Sequence, residues 1–136
     1  ECFEFTDAGA CVAHLADALR ALVGEEPLAS IAVLTPSPAA SALYTQGLNE
    51  SEVPNLRRVV QQEFTFTPGV EVTEVAQAKG LEFDYVVLVE VNASEYPDTS
   101  AARRLLHVGA TRAVHQLWVM STGRSSPLLK DAGVGR

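Results

Sequence analysis

The chain has 136 residues, a formal net charge of -7, 47% hydrophobic residues and 20% charged residues. That length and balance suit one soluble domain with a real core and exclude disorder. No apolar run is long enough to span a bilayer, and Glu1-Cys2-Phe3-Glu4 lacks the basic start and apolar core of a secretory signal.

The elements follow in order. Cys2-Phe3-Glu4-Phe5-Thr6 alternates apolar and polar, as a strand does. Asp7 is placed to cap a helix from Ala10 to Val23, whose Val12, Leu15, Ala16, Leu19 and Leu22 share one face and which Gly24 is expected to end. Ser30-Ile31-Ala32-Val33-Leu34 reads as a buried strand, and Thr35-Pro36-Ser37-Pro38 breaks it and caps a helix from about Ala39 to Leu48. Strand, helix, strand, helix implies parallel strands joined by right-handed crossovers, an α/β fold. Leu56 to Gln61 suggests a short strand, Thr67-Pro68-Gly69 a turn, and Val70 to Val75 an alternating strand. Tyr85-Val86-Val87-Leu88-Val89 is a strand buried on both faces. Asn92 to Ser100 is a polar loop, and Thr99 or Ser100 caps a helix that runs by period through Arg103–Ala113. His115 to Ser121 is the last strand, Ser125 to Lys130 forms one more turn, and residues 131–136 fray. No repeat or interior linker divides the chain, so residues 1–136 are read as a single domain. A first residue other than Met makes a piece of a longer protein the expectation.

The spacing of Cys2 and Cys11 fits neither a zinc site nor a redox pair, and reduced thiols of a cytoplasmic protein are expected. His14, His107 and His115 stand apart, and no metal site is assigned. The acidic balance counts against strong nucleic-acid binding by this stretch alone, because a self-sufficient binder carries a basic patch. It leaves room for a groove whose other wall is basic.

Chemistry concentrates in two stretches. In Gln77-Ala78-Lys79-Gly80-Leu81-Glu82-Phe83-Asp84, three charges surround a glycine that can take a conformation closed to other residues and lets a ligand approach. In Arg103-Arg104-Leu105-Leu106-His107-Val108-Gly109-Ala110-Thr111-Arg112-Ala113, a helix delivers an arginine to the start of a strand. Together, and in this order, they resemble motifs V and VI of the UvrD/Rep-like superfamily 1 DNA helicases, most closely the helicase IV-like branch. The resemblance spans about Val70 to Ser121.

The resemblance implies a RecA-like domain, the second motor domain of an ATP-dependent DNA helicase. It implies Arg112 as an arginine finger, whose planar, permanently charged fork suits a departing γ-phosphate. It also implies Glu82 as a ligand of the nucleotide sugar and Gly80 as the point where backbone approaches phosphate or sugar. For Lys79 the resemblance implies steadying of the motif or contact with DNA phosphates, and an ordinary solvated lysine is the alternative. The ordinary alternative for Arg112 is a surface arginine paired with Glu82 or Glu90. Ligands in open α/β sheets collect at the carboxyl ends of the strands, and the site is expected there. The resemblance further implies that ATP is shared with an N-terminal RecA-like domain that holds the Mg2+, and that this domain and single-stranded DNA are the partners, with no membrane. The Thr-x-His that usually precedes the Lys-Gly pair is here Glu74 and Ala76, and a glutamate repels phosphate. That departure supports a rival, a degenerate helicase-like module for protein contacts, for example with transcription machinery. No Gly-x-x-x-x-Gly-Lys-Ser/Thr occurs, so this stretch lacks its own P-loop and is expected to be inactive towards ATP alone. No Gly-x-Ser-x-Gly occurs either, which removes the nucleophile elbow of a small-molecule hydrolase.

Overall fold

The computed structural model describes residues 2–59 and 68–131. Among the described residues six strands form one sheet: β1 (Cys2–Phe5), β2 (Ser30–Thr35), β3 (Leu56–Arg58), β4 (Gly69–Glu74), β5 (Phe83–Leu88) and β6 (Ala113–Thr122). Their spatial order is β1-β6-β5-β2-β4-β3, and every neighbouring pair is parallel. Parallel strands need crossovers, and helices α1 (Ala8–Glu25), α2 (Pro38–Glu50) and α3 (Ser100–Ala110) supply most of them. A single 3₁₀ turn, Val75–Ala78, carries the chain from β4 towards β5, and a short α4 (Leu128–Asp131) closes the described chain.

Each long helix starts where a side chain can satisfy an orphan N–H. The Asp7 carboxylate accepts from the Ala10 N–H at 2.8 Å, the Ser37 hydroxyl from Ala40 at 3.2 Å, and the Thr99 hydroxyl from Ala102 at 3.1 Å. Pro38 occupies the first turn of α2, where its missing N–H costs nothing. Gly24 does not end α1. The helix runs on to Glu25 and closes when the Glu26 N–H bonds the Leu22 carbonyl at 2.8 Å. The strand read at Leu56 to Gln61 is observed from Leu56 to Arg58, while Gln61 lies outside the described residues, as do Thr67 of the proposed turn and residues 132–136 of the tail.

Alternation along the strands divides the core in two. Ile31, Val33, Val87 and Met120 face α1 and α2, packing on Leu15, Leu19 and Tyr44. Ala32, Leu34, Val86, Leu88 and Val119 face the other way, onto Val75, Tyr96 and Leu106. Burying each such aliphatic side chain stabilises the fold by about 1.5–3 kcal/mol. Cys11 is buried and Cys2 half-buried, both as free thiols, and burial pushes the Cys11 thiol up to about 11.

The loop from Asn92 to Ser100, read as polar, buries one residue completely: Tyr96. Its ring fills the α3-side core, yet its hydroxyl has no hydrogen-bond partner among the described residues, and burial raises its ionisation well above the usual phenol range. A buried, unsatisfied hydroxyl is a cost, so removing it should be harmless. Tyr96→Phe is expected to leave the unfolding free energy unchanged or raise it by up to about 1 kcal/mol in urea titration. A loss above that would reveal a bond to the hydroxyl.

Candidate functional site

The 3₁₀ turn that follows β4 is pinned by two buried residues, Val75 and Ala78, and from there the chain swings into the open. Lys79, Gly80 and Glu82 are exposed. Gly80 has φ +83°, and nothing lies within 4 Å of where a Cβ would stand, so the glycine is required by backbone conformation and not by crowding. The chain then dives back, and Phe83 is buried at the start of β5.

The second stretch meets the first at this point. The Phe83 N–H donates to the Arg112 carbonyl at 2.9 Å, and Phe83 is registered against Ala113. One backbone hydrogen bond therefore joins the segment carrying Glu82 to the one carrying Arg112. Both lie at the amino ends of β5 and β6. The expectation of a site at the carboxyl ends is corrected: the short crossover from β4 returns the chain to the opposite edge before Gly80 and Glu82 are reached. Arg112 is also not on the helix. The helical period continues through it in sequence, but α3 stops at Ala110, where Thr111 turns the chain. The Thr111 hydroxyl bonds the carbonyls of His107 at 2.9 Å and Val108 at 3.1 Å, satisfying the helix end.

Arg112 is half-buried. Its Nη2 donates to Thr111 Oγ1 at 3.1 Å, and its Nε is buried without a partner. Among the described residues no carboxylate pairs with it. Glu90, one of the two partners considered from sequence, is occupied elsewhere: it accepts from Tyr44 OH at 2.7 Å, Thr122 Oγ1 at 2.8 Å and Asn92 Nδ2 at 3.1 Å. Glu82 shows no ion pair among the described residues. A cation placed beside a strand end, without a counter-ion and with a donor unsatisfied, is suited to an anionic ligand arriving from outside. Of the two arginines early in α3, Arg103 pairs with Asp98 at 2.6 Å and Arg104 is exposed.

Two features of the opposite, carboxyl edge escaped sequence reading. Glu74 is half-buried, accepting from Ser41 Oγ at 2.5 Å and Gln77 Nε2 at 3.0 Å, and Ser41 in turn meets Thr35 Oγ1 at 2.7 Å. Glu90 sits in a left-handed backbone conformation, φ +57°, and ties α2, β6 and the following loop together. Three of the partners, Ser41, Tyr44 and Thr122, lie 32 to 46 residues away in sequence, and no local pattern announces those contacts. Among the described residues no group of three or more His, Cys, Asp or Glu could hold a metal ion, and no helix is long and apolar enough to cross a membrane.

A family model described as the UvrD-like helicase C-terminal domain matches residues 69–120, which contain both stretches. Among solved structures, the C-terminal domain of a possible DNA helicase from Lactobacillus plantarum WCFS1 is 30% identical with a TM-score of 0.80, the match covering 95% of this chain and 77% of that one. Two more distant matches show the fold alone. The UvsW helicase from bacteriophage T4 is 10% identical, TM-score 0.60, over 96% of this chain and 48% of that one. An arterivirus nonstructural protein 10 (helicase), solved with DNA, is 16% identical, TM-score 0.57, over 88% and 28%. No curated protein sequence matches the chain.

Proposed function

Because the chain belongs to the family of UvrD-like helicase C-terminal domains, we propose that it is the second RecA-like motor domain of an ATP-dependent DNA helicase or translocase. The observation that carries this reading is the hydrogen bond from Phe83 N–H to the Arg112 carbonyl, which sets an arginine with no carboxylate partner among the described residues beside the Gly80–Glu82 segment on one open edge. Arg112 supplies a fixed, forked positive charge to the terminal phosphate of ATP held mainly by an N-terminal RecA-like domain. Glu82 offers a carboxylate to a ribose hydroxyl, and Gly80 keeps the backbone low at the same place. Lys79, exposed one residue earlier, is assigned to phosphate of the nucleic acid. The residues present fit a half-site for nucleotide: they supply a cation, a sugar acceptor and a glycine, and no magnesium ligands. The Mg2+ belongs with the other domain, as does single-stranded DNA binding in its larger part.

The 136-residue chain alone should therefore show negligible ATP hydrolysis, measured as phosphate release with and without single-stranded DNA. A robust rate that Arg112→Ala abolishes would overturn the two-domain reading.

A second reading is favoured by Glu74. At the carboxyl end of β4 it places a carboxylate, held by Ser41 and Gln77, where relatives offer a threonine to the single strand. A surface of that sign suits contact with a protein better than with DNA, and a degenerate helicase-like module for protein-protein contacts fits it. Full-length protein without a P-loop would favour this reading, and with one the motor.

A further inference from the structure

We propose that Thr111 is a positioning residue: its hydroxyl sets the orientation of the Arg112 guanidinium and does not itself bind nucleotide. This inference rests on the motor reading, since it concerns how Arg112 is aimed at the terminal phosphate.

The backbone of Arg112 is held on both sides. Its N–H donates to the Gly109 carbonyl at 3.2 Å, and its carbonyl accepts from the Phe83 N–H at 2.9 Å. The side chain still has several free torsions, and holding it in one arrangement costs entropy. Among the described residues one hydrogen bond fixes its far end: Nη2 donates to Thr111 Oγ1 at 3.1 Å. No carboxylate among them shares the task. The direction of the fork therefore depends on where that oxygen stands.

The oxygen is itself fixed. A hydroxyl has one hydrogen, and a carbonyl only accepts. The Thr111 hydrogen is thus committed to the end of α3, shared between the carbonyls of His107 at 2.9 Å and Val108 at 3.1 Å. What Oγ1 has left is its lone pairs, and a guanidinium only donates. The contact can be made in one sense only. Donation to the carbonyls also polarises the hydroxyl and strengthens it as an acceptor. The γ-methyl of threonine stiffens χ1 and keeps the oxygen in place. A cation is favoured at this point, because the carboxyl end of α3 carries partial negative charge. The same accounting of hydrogens excludes Thr111 as a donor to phosphate. Arg112 keeps its own capacity: Nη1 makes no bond among the described residues, and Nε is without a partner. A finger aimed before ATP arrives has less freedom to lose on the way to the transition state.

Turnover of the full-length protein at saturating ATP and DNA tests this. Thr111→Val keeps the shape and loses the oxygen. It should lower kcat roughly tenfold or more and leave the KM for ATP within about twofold. Thr111→Ser keeps the hydroxyl and should stay within about threefold of the parent. In an Arg112→Lys background no fork is left to orient, and the valine change should cost less than about twofold. An undiminished fall there overturns the proposal, because the loss then comes from a loosened end of α3. In the 136-residue chain, side-chain nitrogen NMR should resolve separate Nη1 and Nη2 signals for Arg112, merged in Thr111→Val and separate again in Thr111→Ser. Signals that stay separate in Thr111→Val also overturn it. If Arg112→Ala loses turnover and Thr111→Val keeps it, the motor stands and only the role of Thr111 falls. Equal turnover in the parent and Arg112→Ala removes the motor reading, and this role with it.

Discussion

Arg112→Ala in the full-length protein is expected to lower ATP turnover by roughly 10³-fold or more, with nucleotide affinity changed only severalfold. The asymmetry follows from when the charge is needed. Negative charge shifts onto the leaving group and the transferred phosphoryl in the transition state, and a preorganised guanidinium stabilises that distribution more than it does bound ATP. The fold should tolerate the change. Among the described residues Arg112 holds no carboxylate that would be left buried and alone, and the Thr111 hydroxyl keeps its bonds to the end of α3. The thermal midpoint of the variant should therefore stay near that of the parent. Arg112→Lys keeps the charge but loses the planar fork, and should fall between the two. Equal turnover in parent and alanine variant, measured at saturating ATP and DNA, would remove Arg112 from catalysis.

Gly109→Val should destabilise the 136-residue chain by about 2–3 kcal/mol, read as a lower urea midpoint. Gly109 lets α3 approach β5 and the 3₁₀ turn closely. A Cβ there would stand 2.7 Å from Leu88 Cδ2 and 3.4 Å from Val75 Cγ1, one on the central strand β5 and the other on the 3₁₀ turn. Leu88 is fully buried and has little room to swing aside. Alanine is the informative control, because helix propensity returns about 1 kcal/mol relative to glycine and offsets part of the clash. Valine adds two branches to the same collision and should push α3 outward, moving Thr111 and Arg112 with it. An unchanged midpoint for valine would show that Leu88 yields after all.

These two residues also show what was legible in the chain beforehand. Strands such as Ile31–Leu34 and Val86–Leu88 announce themselves, because burial on both faces leaves only apolar residues. Capping residues Asp7, Ser37 and Thr99 mark helix starts, because few side chains can bond the first amides. The glycine at position 24 misled, since the usual stop signal sits here inside a helix that closes one residue later. Arg112 was placed on α3 because a period cannot reveal that the hydroxyl of Thr111 has already closed the helix. The edge of the sheet on which the site lies was not legible either. It depends on how a few residues after Glu74 cross the sheet, which no local pattern encodes. Least visible were the attachments of Glu74 and Glu90, which exist only once distant segments meet.

The passage from β4 to β5 is unusually brief: the residues from Val75 to Glu82, part of them wound into a 3₁₀ turn, cross over β2 and run from one end of the strands to the other. Spanning a six-residue strand takes about 20 Å, whereas nine peptide steps reach about 30 Å when fully stretched. With Val75–Ala78 wound into a 3₁₀ turn that rises only about 2 Å per residue, the reach falls to roughly 25 Å and little slack remains. A tug on Glu74 at the far end, where Ser41 grips it, must be felt at Glu82. The segment behaves as a taut strut through which strain at one end of the sheet is delivered to the other.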